Sequence, residues 1–352
     1  MPAAARKAAT PAEAETASPP NTPDAASDSG NEAAMALRLS LNSAPLPVER
    51  GAVSIDYIAY DEANDRVWVP LGAGSVAVFN PSDQKFTLVN GFKTAERQVR
   101  GTKRTMGPSA AAVGDGEVYI GDRGSNEVCP VDAKTLSPGP CIQLPSPTDG
   151  VAYLRSAREV WVTTPHDHTI TVLDASNPRA LRKKTTVRTE GVPEGYATDG
   201  FRNLFFTNLE DTGSTLAVDT QKHEVVATWS PGCGADGPRG VAFDALHDFV
   251  VVACTDHLQV LDAGHGGARL GTLETGRGVD NIDIAGDTVY VAAGKDARLT
   301  VAKIDATGQM AAVAREDTTE GARNPVADGR GRVYVADAKG CRLLVFSGLP
   351  TR

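Results

Sequence analysis

Seven times along the chain a run of β-branched and aromatic residues ends in a small, polar turn. The runs are RVWVPLGAG (66–74), EVYIGDRGS (117–125), EVWVTTPHD (159–167), NLFFTNLED (203–211), FVVVACTDH (249–257), TVYVAAGKD (288–296) and RVYVADAKG (332–340). Their length and composition predict strands. A further strand follows each and usually ends in Asp, as in VCPVD, ITVLD, LAVD, LQVLD and VAKID. Another precedes each, typified by GVAYL, GVAFD and NIDIA, and a more polar fourth often follows, as in ARLGTL and EVVATW. Four short strands recurring at about 40–45 residues are the pattern of a propeller blade. The chain is therefore expected to be all-β, a single seven-bladed β-propeller over residues 36–352.

The two ends of the pattern fit ring closure. The seventh repeat stops at RLLVFSGLPTR without a fourth strand, while ALRLSLNSAPLPV (36–48) alternates Leu37, Leu39 and Leu41 and belongs to no complete blade. This N-terminal segment is expected to supply the missing outer strand of blade seven, since closure protects strand edges. Residues 1–35 are Ala/Pro-rich, and the first 34 hold no Val, Ile, Leu or aromatic residue. They are expected to be a disordered tail, because they cannot bury a core, and they show no secretory signal.

The repeats resemble the YVTN-type repeats of the bacterial YncE-like β-propeller family. RVYVADAKGCRLLVF, EVYIGDRGSNEVCPVD, GPRGVAFDALHDFVVVACTDHLQVLDAG and GRGVDNIDIAGDTVYVAAG carry the likeness. It implies the fold, a binding role more than a chemical one, and a periplasmic or secreted location, with a cytoplasmic one kept open. A monomer is expected. The net charge of −9 argues against nucleic acid and anionic membranes as partners, and no apolar run approaches the roughly 18 residues of a membrane span.

In a propeller, the loops leading into each innermost strand gather with the turns between the second and third strands at one mouth of the central channel. The residues aligned just before the innermost strands are Asp56, Ser109, Asp149, Glu194, Arg239, Asp280 and Arg323. Four carboxylates and two guanidinium groups would ring one opening. Crowded carboxylates must raise a pKa, pair with arginine or take a cation. One reading is a collar neutralised by Arg239 and Arg323. Another is a site for a protein or small polar ligand, with Tyr57 as either contact or packing. A third places a divalent cation such as calcium on Asp149, Glu194 and Asp280, since hard cations take oxygen ligands. A likeness to metal-dependent lactonases would cast Glu194, Asn208, Asp280 and Asn281 as ligands, making a hydrolase the alternative to a non-enzymatic binding module.

Other polar residues fall on the same side. His166 and His168 flank Asp167 in the turn of blade three, and His257 occupies the equivalent turn of blade five. Zinc needs a third protein ligand, so an ordinary polar turn is the favoured reading. The insertion GFKTAERQVRGTKRTMG (91–107) is basic and is read as a solvated flexible loop, or else as a cap that neutralises the collar or a dock for an anionic partner. No GxSxG, HExxH or P-loop occurs. Among five cysteines, Cys129 with Cys141 and Cys233 with Cys254 are expected to form disulfides, leaving Cys341; the competing reading is five buried thiols in a cytosolic protein. Two bridges would imply an oxidising compartment. Pro130, beside Cys129, predicts a local bulge in its strand.

Overall fold

The computed structural model describes residues 37–49, 53–99 and 101–349. The expected tail lies outside them. Seven four-stranded antiparallel sheets are present, one per repeat, in the form of a seven-bladed β-propeller. Their innermost strands are Ala59–Asp61, Pro108–Val113, Val151–Leu154, Pro193–Asp199, Pro238–Asp244, Ile282–Ala285 and Arg323–Ala327.

The apolar runs are nearly continuous because both faces of each middle strand are covered. Side chains alternate across a strand. In Glu159–Thr164, Val160 and Val162 therefore pack towards blade two while Trp161 packs towards blade four. Among the described residues the buried apolar side chains form seven clusters, each packing one blade against the next. Stability thus comes from neighbour contacts around the ring, as in other repeat folds.

The Asp residues that end the third strands have a structural task. Asp132 accepts the backbone N–H groups of Lys134 and Thr135, Asp219 those of Gln221 and Lys222, and Asp262 those of Gly264 and His265. These are side-chain-stabilised turns. The recurring Asp therefore reports turn chemistry and not a site.

The ring closes as the ends of the pattern imply. Ser40–Pro45 pairs antiparallel with Arg342–Ser347, from Ser40 opposite Ser347 to Pro45 opposite Arg342. The strand is shorter than the alternation suggested. Leu37 and Leu39 precede it and pack on the cluster between blades six and seven, whereas Leu41 is exposed. An outer strand has only one neighbour, so one of its faces meets water.

Both disulfides are present, Cys129–Cys141 and Cys233–Cys254. They fit an oxidising compartment. Cys341 is buried outside both, its Sγ 3.6 Å from the Val48 carbonyl. The irregularity at Pro130 differs from expectation. Its strand, Glu127–Asp132, stays in register with Glu117–Asp122, so no bulge forms there. The Pro130 carbonyl accepts from Gly139 N–H on the outer side. Backbone N and C=O of one residue point the same way in a strand, so the missing donor faces outward too. The outer strand of this blade is accordingly cut to Ile142–Gln143, and Cys141 lies just before it.

The basic insertion is not a loop without structure. Ala95–Val99 and Thr102–Met106 form a two-stranded antiparallel hairpin. Lys93 Nζ reaches Glu127 at 2.7 Å and Arg97 Nη2 reaches Asn126 Oδ1 at 2.8 Å, which fastens its base to blade two.

Candidate functional site

At the mouth, short bulges turn residues before the innermost strands towards the channel. Register shifts occur at Pro108/Ala110, Glu194/Ala197, Pro238/Val241 and Arg323/Pro325, in blades two, four, five and seven. Bulges re-aim side chains in this way. Gly195 makes the approach of neighbouring blades possible. Its φ is +67°, and an added Cβ would lie 2.8 Å from the carbonyl oxygen of Arg239.

The collar acids predicted from sequence come together, but their cations differ. Arg123, from the turn between the second and third strands of blade two, holds both Asp56 (2.9 Å) and Asp149. Its Nε also donates to the Thr148 carbonyl at 3.1 Å. Burial acts to lower the Arg123 pKa, but Asp149 and Asp56 outweigh it and hold the guanidinium firmly charged. Arg323 pairs with Asp280 at 3.1 Å as expected. Arg239 makes its direct ion pair with Glu210, in the turn of blade four, and acts on the collar acid Asp280 only as a more distant charge. Asn324 closes the ring by donating to the backbone carbonyl of Asp56 at 2.9 Å and accepting from Asn281 N–H at 3.2 Å.

Tyr57 crosses the channel axis. It starts in blade one, yet its hydroxyl lies 3.2 Å from Asp149, 3.3 Å from Glu194 and 3.1 Å from the Gly195 N–H. Blade four is as far round a seven-membered ring as blade one can reach. The ring of Tyr57 is only 4% exposed and stacks on Tyr196, with centroids 5.6 Å apart. Tyr57 is thus the floor of the collar.

A phenol has one hydrogen, and an ionised carboxylate can only accept. With the Gly195 N–H donating to the phenol oxygen, that one hydrogen is shared between Asp149 and Glu194. Asp149 also has Arg123, whereas Glu194 has no cation within ion-pair distance among the described residues, so Glu194 is the acid more costly to ionise. Burial pushes the Asp149 carboxyl up to about 6 against the opposing pull of Arg123. Burial, and then Asp149, push Glu194 well above the ordinary range. Asp280 is raised by burial and held back by Arg323.

The remaining candidates are placed as follows. Ser109 is buried, and its carbonyl accepts the Tyr57 N–H at 3.0 Å. Asn208 is fully committed: Nδ2 donates to the carbonyls of Arg239 (2.6 Å) and Gly240 (3.0 Å), and Oδ1 accepts from Thr215 (2.6 Å). It ties blade four to blade five. His166 pairs with Asp167 at 3.0 Å, and His257 with Asp256 at 2.6 Å. Each histidine has a local acid as its side-chain partner. Among the described residues, the one trio of His, Cys, Asp or Glu ligand atoms within 4.8 Å of one another is Glu127, Cys129 and Cys141, whose sulfurs are joined to each other. Arg123 and Glu210 were not singled out from sequence; the GDRG turn was the signal for the first.

No protein-family model matches the chain, and no curated protein does. Solved structures match its fold. A chain of the mitotic checkpoint complex aligns with a TM-score of 0.69 at 11% identity, covering 97% of this chain and 99% of that one. A chain of hydrazine synthase from Kuenenia stuttgartiensis aligns at 0.68 and 15% identity, covering 86% and 97%. Virginiamycin B lyase from Staphylococcus aureus aligns at 0.68 and 12%, covering 88% and 99%. At these identities the likeness establishes the β-propeller fold and nothing finer.

Proposed function

We propose that the chain is a non-enzymatic binding module that recognises a protein or small polar ligand at the channel mouth. The observation that carries this reading is the collar floored by Tyr57. Carboxylates and arginines of several blades are locked by mutual hydrogen bonds into a fixed polar surface, which is what preorganised recognition needs. The YVTN-like repeats support membership of the YncE-like family and, with the disulfides, a periplasmic or secreted, monomeric protein.

The second reading is a lactonase-like hydrolase holding a divalent ion such as calcium on Asp149, Glu194 and Asp280. It is favoured by one fact, that among the described residues Glu194 has no cation within ion-pair distance, Arg323 acting on it only from further away. It requires the three carboxylates to draw together on binding, because their oxygens do not converge within 4.8 Å. It also loses Asn208 as a ligand. Elemental mass spectrometry of desalted, untagged protein separates the two. Metal-free protein without lactone or ester hydrolysis is expected. A near-stoichiometric ion that disappears in Glu194→Gln would overturn the binding-module reading.

A further inference from the structure

On the face opposite the mouth, the turns joining the first and second strands of blades four and five are built alike. Asp199 accepts the N–H groups of Phe201 (2.9 Å) and Arg202 (3.1 Å). Asp244 accepts those of Leu246 (2.9 Å) and His247 (3.4 Å). The residue two places after the Asp therefore has the same position in both blades. It is Phe201 in one, 95% exposed, and Leu246 in the other, 67% exposed. The same place after Asp61 and Asp328 is filled by Ala63 and Arg330. Arg202 forms an ion pair with Asp248 of the next turn at 3.1 Å, which brings the two turns side by side. Side chains of this size are more stable buried than left in water.

A cavity of about 390 Å³ lies between blades three and four, walled by Tyr153, Leu154, Gly200 and Leu204; neither Phe201 nor Leu246 lines it, but Gly200 directly precedes Phe201 in the chain. Blade three is rich in cations: residues 155–188 hold seven Lys and Arg against three Asp and Glu, in a chain whose net charge is −9, with Arg179 paired to Glu117 and Lys184 to Glu159. Arg155 lines the cavity and is 78% exposed, although paired with Asp115, and Arg158 beside it is exposed. Apolar anchors beside an island of positive charge fit a partner with the opposite charge and its own apolar side chains.

We propose that this face docks an acidic protein segment that seats large apolar side chains against Phe201 and Leu246 and sets its carboxylates towards Arg155 and Arg158. The inference is independent of the collar. Peptides selected from a random display library on the intact protein test it. The selected sequences are expected to be rich in Asp and Glu and to carry Leu, Phe or similar residues. Their affinity should fall at least tenfold in Phe201→Ser/Leu246→Ser and in Arg155→Glu/Arg158→Glu, and fall with added salt. Lys295→Ala, in the exposed turn of blade six, should bind them unchanged. All four exposed positions lie in turns, and unchanged melting temperatures confirm intact folds; were the serine pair to melt early, the arginine pair alone decides. Peptides without acidic excess, or binding indifferent to the substitutions, would overturn the proposal. So would light scattering showing that two copies of the chain pair through these residues.

Discussion

At the scale of single residues, the floor of the collar turns on one proton and one guanidinium. Burial raises both Asp149 and Glu194, so above the ordinary carboxyl range the native state keeps protons that the unfolded chain has released. The stability contributed in this way is complete below pH about 4. It is lost as pH rises through about 6 for Asp149, and through the raised value of Glu194. Glu194→Gln keeps the size and the partner Tyr57 but cannot ionise. It should melt with wild type at pH 5 and above it at pH 8, by on the order of 2 °C. Parallel melting curves across that range would mean that Glu194 is not the proton holder. Arg123 is the opposite case. Arg123→Met leaves Asp56 and Asp149 without their shared cation, and a broken buried pair costs about 3–5 kcal/mol. Urea denaturation reads this directly, and a loss below about 1 kcal/mol would place Arg123 among the weak surface pairs. Sequence reading found the acids because they share one position before each innermost strand. It missed Arg123 because whether a turn residue points inward depends on how the ring curves, which no local pattern encodes. It assigned Arg239 to the collar because Glu210 lies in a different turn and becomes its neighbour only once the blades are packed.

At the scale of elements, strands were legible and their company less so. In Glu159–Thr164 both phases carry large apolar residues, Val160 and Val162 on one and Trp161 on the other, since each faces a different interface. That gives a buried strand without saying which neighbour it meets. The closing strand was legible as a remainder, apolar alternation left over at one end and a strand missing at the other. Its energetic weight follows from the pairing of Ser40–Pro45 with Arg342–Ser347, which hides the last blade's edge. Removing residues 1–36 should leave the melting temperature unchanged. Removing 1–48 should lower it sharply or yield soluble aggregates, because an exposed edge strand templates association. Equal melting of the two truncations would show that blade seven is held by other contacts. The insertion 91–107 was misread as flexible because its strands are charged and alternate no apolar face. It holds shape through the salt bridge of Lys93 with Glu127 and the bond from Arg97 to Asn126, contacts made outside the hairpin.

At the scale of the whole molecule, a ring with seven separate interface clusters has no central core to fail first, so its straps act locally. Cys129–Cys141 joins residues 12 apart within blade two, and Cys233–Cys254 joins residues 21 apart within blade five. Loops of this size are worth about 3 kcal/mol each by restricting the unfolded chain. The bridges share no partner and lie in blades that do not touch. Their contributions should therefore add within about 0.5 kcal/mol. Cys129→Ser/Cys141→Ser and Cys233→Ser/Cys254→Ser, measured singly and combined by denaturant unfolding, check this. Exposure separates the bridges in another way. Cys141 lies at the surface and Cys233 is half-buried, whereas Cys129 and Cys254 are buried. A phosphine reductant followed by alkylation should label Cys141 in the native state, Cys233 more slowly, and Cys129 and Cys254 only on opening of their blades. If Cys129 and Cys254 label at one rate, the blades open together, and the ring unfolds as a single unit in spite of its divided core.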